Sequence, residues 1–146
     1  MFSMAMTKEF LSTLNILAVL VSTILFFGLG FVWYSMLFGK AWVEELKKHG
    51  VTIKDPDQSG MIKAFAVSII CSFLIAFGMA FIDYHAGVAT WMAGLKMGIA
   101  ISVFLGLPII GLGFNWEGKS MKLFMIDASY TTAGIILSAV ICGVWR

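Results

Sequence analysis

Charge is scarce in this chain. It has ten Lys or Arg and eight Asp or Glu in 146 residues, so 12% is charged against 60% hydrophobic. An ordinary soluble domain is about 25% charged and about 45–50% apolar. So few charges cannot cover a soluble core of this size, and the solvent expected for the chain is mostly lipid. The net charge of +2, with no basic run interleaved with aromatics, excludes a nucleic-acid groove. Histidine is nearly absent: His49 and His85 stand apart with no second ligand at metal spacing, so no metal site is expected. Cys71 and Cys142 lie in apolar runs at different depths, roughly 10–15 Å apart by helical rise. That is beyond disulfide reach, and both read as small buried hydrophobes. A phosphate loop, a serine-elbow motif and a zinc-protease motif are all missing. No enzymatic activity and no cofactor are therefore expected.

What the chain does have is four long runs without charge: Phe10 to Gly39, Ala64 to Ile82, Met97 to Trp116 and Ala128 to Trp145. About 20 apolar residues of helix cross a bilayer core, and helices satisfy their backbone groups internally, as lipid requires. A membrane barrel would instead show alternating segments of about ten residues. The first run is too long for a signal peptide, and no small-residue cleavage pattern follows it. The expected fold is all-α: an integral membrane four-helix bundle forming one domain over residues 1–146. Its helices fall near 10–37, 61–83, 92–115 and 122–145. The loop 40–60 carries a short amphipathic helix over 41–49, with a Glu44–Lys48 pair and Gly50 as its cap. Asp55-Pro56-Asp57 reads as a turn, with Asp57 or Ser59 capping the second helix. The short remaining loops imply antiparallel hairpins.

With four spans, the first and third loops share one side. That side holds Lys40, Lys47, Lys48, Lys54, Lys63, Lys119 and Lys122, whereas Lys8, Lys96 and Arg146 lie on the other. The positive-inside rule then places loops 40–60 and 117–122 in the cytoplasm and both termini outside, in the cell (inner) membrane. All five tryptophans lie near run ends, the level that amphipathic rings prefer. Membrane lipids are thus expected partners.

Small residues recur every four positions on two helices. Ala64, Ser68, Ser72, Ala76 and Ala80 form one ridge, and Gly94, Gly98, Ser102 and Gly106 form another. In lipid, helices associate through the close approach that such residues permit. The ridges are expected to pack on each other or across a homo-oligomer boundary. Pro108 withdraws one N–H near Phe104 and should kink the third helix; the kink is either structural or the lining of a cavity. Gly28-Leu-Gly-Phe-Val-Trp33 is echoed by Gly111-Leu-Gly-Phe-Asn-Trp116, which fits either two hairpins related as a repeat or chance.

Asp127 is the carboxylate expected within a span, with Tyr130 and Thr131 on its face and Asn115 and Pro108 on the neighbouring helix end. It reads as an ion or ligand site or as an interfacial acid favoured by the helix dipole. Lys96 is expected to snorkel outward and pair with Asp83. Asn15, Ser22 and Thr23 are expected to bond across helices.

The stretch from Gly30 to Trp42, with Trp33, Tyr34, Phe38, Gly39 and Lys40, resembles the signature of a family of small, mainly bacterial membrane proteins catalogued as domain of unknown function 1761. Gly94, Gly98, Asn115 to Gly118, Phe124 to Tyr130 and Trp145 are similar to the rest of that family's pattern. Ser35 departs from it, where Gly is the more common residue. The resemblance implies a four-helix membrane fold and no particular activity. Read from the residues alone, Trp33, Tyr34 and Trp42 are headgroup-level anchors and Lys40 meets anionic lipid, or Lys40 and these rings build a ligand site. The expected function is an oligomeric structural or regulatory membrane subunit. The alternative is a small transporter or channel for an unidentified small molecule or ion, with its cavity near Pro108 and Asp127.

Overall fold

In the computed structural model, the described residues are 4–50 and 58–145. The order is α1 (Met4–Thr13), α2 (Ile16–Val32), α3 (Gly39–Lys48), α4 (Gln58–His85), α5 (Trp91–Ile101), α6 (Leu107–Glu117) and α7 (Met121–Val144). A π-turn over Trp33–Leu37 extends α2, and another over Ser102–Gly106 joins α5 to α6. Four spans are long and apolar enough to cross a membrane: Ile16–Leu37, Gln58–His85, Trp91–Glu117 and Met121–Val144. The protein is an all-helical, multi-pass membrane bundle.

The long first run does not form one helix. The polar cluster at its start breaks it: Asn15 caps α2 by accepting from the Leu17 and Ala18 N–H groups at 3.1 and 3.3 Å. Asn15 was expected to bond across helices, but its side chain serves its own helix end. The residues before the break form α1, which folds back over the end of the bundle. There Phe10 is 2% exposed and meets Phe81 and Tyr84 edge-on or tilted, with centroids 5.1 and 5.5 Å apart.

α7 is the axis of the bundle and packs against α2, α4 and α5. The glycine ridge of the third span lies on it. A Cβ on Gly94 would stand 2.7 Å from the Ala139 carbonyl oxygen, and one on Gly98 would stand 2.7 Å from the Ile136 Cα. The two ridges therefore do not pack on each other as expected. The third span's ridge is used within the chain, against the fourth span. On α4, Ser72, Ala76 and Ala80 are buried, while Ala64 and Ser68 are exposed. From Met61 to Cys71 every α4 residue is exposed, so this half of the helix stands away from the bundle. Although a short turn joins them, α4 and α5 barely touch; each packs on α7.

Pro108 stands two residues after a π-turn in the third span. The π-turn before it closes with the Leu107 N–H donating to the Ser102 carbonyl, which widens the backbone where the missing N–H and the ring would otherwise conflict. The two echoed hexapeptides have different surroundings: the Trp33 indole donates to the Ile126 carbonyl at 3.1 Å, whereas Trp116 is 85% exposed. Of the expected caps on the second helix, Ser59 lies inside α4 and Asp57 lies outside the described residues.

Candidate functional site

The site begins with the π-turn at the end of α2. One extra residue in a helical turn rotates all that follows, and such turns often mark functional positions. Here the Phe38 N–H donates to the Trp33 carbonyl at 2.8 Å. The chain then turns into α3 so tightly that a Cβ on Gly39 would collide with the Tyr34 carbonyl oxygen. The turn sends Tyr34 and Trp42 inward rather than out to the headgroups.

Both reach Asp127 on α7. The Tyr34 hydroxyl donates to Asp127 Oδ1 at 2.8 Å, and the Trp42 side chain lies close enough to act on the same carboxyl. The Thr131 hydroxyl donates to the Asp127 main-chain carbonyl at 3.0 Å, not to its carboxylate. The rings pack around this point. Tyr34 lies 5.3 Å from Trp42 and 5.2 Å from Tyr130, both edge-on, and Trp33 lies 6.4 Å from Tyr130. Gly30 makes room for Tyr130, whose hydroxyl oxygen would be 2.8 Å from a Cβ there.

Beside these rings is a groove of about 800 Å³, walled by Phe27, Phe31 and Ser35 of α2, Phe65 and Ser68 of α4, Trp42 and Tyr130. Its side is open, since Phe31 is 66% and Phe65 49% exposed. Among the described residues, no Lys, Arg, His, Asp or Glu lines it. The half of α4 that lines it is exposed, and the Phe27 and Phe65 rings meet edge-on at 5.9 Å beside the groove.

Pro108 and Asn115, which the sequence grouped with Asp127 around a cavity, are both exposed on the third span and do not line the groove. Lys40 is exposed and is not among the lining residues either. The sequence reading gave the acid the neighbours of its own helix; its hydroxyl partner and indole neighbour come from the signature block 93 and 85 positions away.

A second acid, expected only as a partner for Lys96, lies inside the bundle. Asp83, on the last turn of α4, is wholly buried beside Gly143, where a Cβ would lie 3.7 Å from Asp83 Oδ2. Lys96, its expected partner, stays exposed and forms no ion pair among the described residues. Nearby, Ser22 was expected to bond across helices, but its buried hydroxyl has no hydrogen-bond partner among the described residues, while the Thr23 hydroxyl donates to its own helix at the Val19 carbonyl.

The first and third loops meet at the α3 end of the bundle. Glu45, 5% exposed, accepts from the Ser120 hydroxyl at 2.7 Å and from Lys48 at 3.0 Å, and Lys122 lies 3.5 Å away. The Ser120 N–H donates to His49 Nε2 at 3.0 Å. The Ser120 hydroxyl bond, and then Lys48, hold the Glu45 carboxyl down at about 2, well below its ordinary value. The same contact with Glu45 raises Lys48. Glu44 pairs with Lys48 at 3.2 Å, as the sequence spacing implies, but Glu45 carries the connection to α7. This latch holds α3, and with it Trp42, against the start of α7.

No curated protein and no solved structure matches the chain. The family model described as "Protein of unknown function (DUF1761)" matches residues 17–143, a stretch that holds Tyr34, Gly39, Trp42 and Asp127 together, and the protein belongs to that family.

Proposed function

We propose that this protein binds a membrane-dissolved amphipathic molecule in the groove between α2 and α4 and handles it in the manner of a small carrier. The observation behind this is the groove itself: about 800 Å³, open on one side, apolar along its length and bounded at one end by Tyr34, Trp42 and Tyr130. Ligand sites are largely apolar clefts of roughly 300–1,000 Å³ with a few placed polar groups. An ionisable residue inside a bundle is a further mark of ligand or ion handling. The lysine distribution supports the cytoplasmic leaflet of the cell membrane as the location of this end, with both termini outside.

Native mass spectrometry of protein released from lipid nanodiscs tests the reading. A reproducible non-bulk mass is expected on the wild type, and it is expected to be lost in Gly28→Trp. Gly28 lines the groove, and a Cβ there meets nothing within 4 Å, so the indole fills the groove without displacing the bundle. Adducts of bulk lipid alone, unchanged in the variant, count against it.

One observation favours a second reading, that of a structural or regulatory subunit. Ile62, Val67 and Ile70 of α4 are 61%, 52% and 57% exposed, an apolar surface that a second copy would cover. That reading draws no support from the glycine ridge, which the fourth span already occupies. Asp127→Asn separates the two: a carrier loses ligand dependence, whereas a scaffold keeps its oligomer unchanged.

A further inference from the structure

The electrostatics of the ring cluster narrow the ligand class; this step rests on the groove reading above. Asp127 is held by a neutral donor, the Tyr34 hydroxyl, with the Trp42 side chain close by. No ion pair reaches its carboxylate among the described residues. Lys119 sends some positive charge toward it, but Lys119 is paired with Glu117 and sits over the Phe114 ring. No neighbouring cation among the described residues therefore pairs with this carboxyl group.

The carboxyl group faces the groove through two of the groove's own walls. A hydroxyl that donates to a carboxylate pushes electron density back into its ring, and electron-rich ring faces attract cations. Tyr34, Trp42 and Tyr130, with centroids 5.2–5.3 Å apart from Tyr34, form an aromatic corner of the kind that binds onium groups. Beyond the corner the walls are Phe27, Phe31 and Phe65, suited to an apolar body. An anion has no counterpart here. No cationic side chain among the described residues lines the groove, the Tyr34 hydroxyl is directed at Asp127, and a phosphate would sit beside that carboxylate.

We propose that the groove binds lipophilic organic cations, with the onium centre in the Tyr34–Trp42–Tyr130 corner backed by Asp127 and the apolar body along the phenylalanine walls.

The test compares two probes of similar bulk on protein in nanodiscs, using tryptophan fluorescence: tetraphenylphosphonium and the neutral triphenylphosphine oxide. The wild type is expected to prefer the cation at least tenfold. Asp127→Asn keeps the shape and removes the charge, so it is expected to bring the charged-to-neutral affinity ratio close to one. Should that variant fail to fold, Ser35→Lys is the second test. Ser35 is exposed on the groove wall, and a lysine there is expected to invert the preference. Equal binding of both probes by the wild type overturns the cation assignment and leaves the groove reading standing, as does an acidic phospholipid retained equally by wild type and Asp127→Asn. Failure of both probes to bind, with no retained lipid, overturns the groove reading itself.

Discussion

Gly39 has no side chain because the Tyr34 carbonyl occupies the space where one would begin. Gly39→Ala must open the π-turn, at a cost of about 1–3 kcal/mol for backbone forced from its place. The larger effect is on aim: Tyr34 and Trp42 leave Asp127 together. A drop in Trp42-sensitive fluorescence and in ligand retention, with the helical circular dichroism unchanged, is the expected outcome; retention equal to wild type would count against it. Gly134 makes a similar argument in the core. The Phe26 ring occupies its Cβ position, so Gly134→Ala overpacks by about 1–3 kcal/mol. Phe26→Leu in the same chain is expected to recover part of that loss, because residues in contact are not additive. Thermal unfolding of the two single variants and the double variant measures the coupling, and purely additive losses would argue against the contact. Neither glycine could be assigned its role from sequence. Gly39 was legible as part of a signature and a place to turn, but what a missing Cβ makes room for lies on a π-turn in one case and another helix in the other.

Elements were legible where hydrophobic length decides them, and were misread where a few polar atoms do. The four spans follow from runs of uncharged residues, and α3 follows from its alternating faces and the Glu44–Lys48 spacing. The break before α2 depends on one Asn15 oxygen capping two N–H groups, inside a run whose apolar length favoured continuity. The two π-turns leave no hydrophobic signature. The same holds for the latch that docks α3, since Glu45 reads as an ordinary exposed acid until Ser120 is beside it. Its titration gives a directional test. The folded carboxyl lies at about 2 against an ordinary value of 4.5, so the docked state is favoured in full above the unfolded value. The latch loosens as pH falls from that value toward about 2. Trp42 emission in nanodiscs is expected to shift over this acid window, and Glu45→Gln is expected to remove the shift. A shift that persists unchanged in Glu45→Gln would assign it to another group.

At the scale of the whole molecule, membrane residence and the number of spans were legible in the sequence, because lipid imposes those on length and charge alone. It did not give which helix is central. Both small-residue ridges are visible in the sequence, yet spacing says only that something approaches closely, not what. The partner of the glycine ridge is α7, whose Ile136 and Ala139 meet Gly98 within the same chain. That assignment separates an intrachain role from an intersubunit one. A leucine at Gly98 must displace α7 backbone, since the Ile136 Cα stands 2.7 Å from where its Cβ would be. The expected loss is about 3 kcal/mol or more, on the order of a 10 °C fall in thermal midpoint. Because both faces belong to one chain, that fall should be the same at every protein-to-detergent ratio, and the elution position of the surviving folded fraction should match the wild type. A midpoint that recovers as protein concentration rises, or a folded fraction eluting as a smaller species, would mean that the ridge joins subunits. The surface left to build an oligomer would then be the glycine ridge rather than the exposed half of α4.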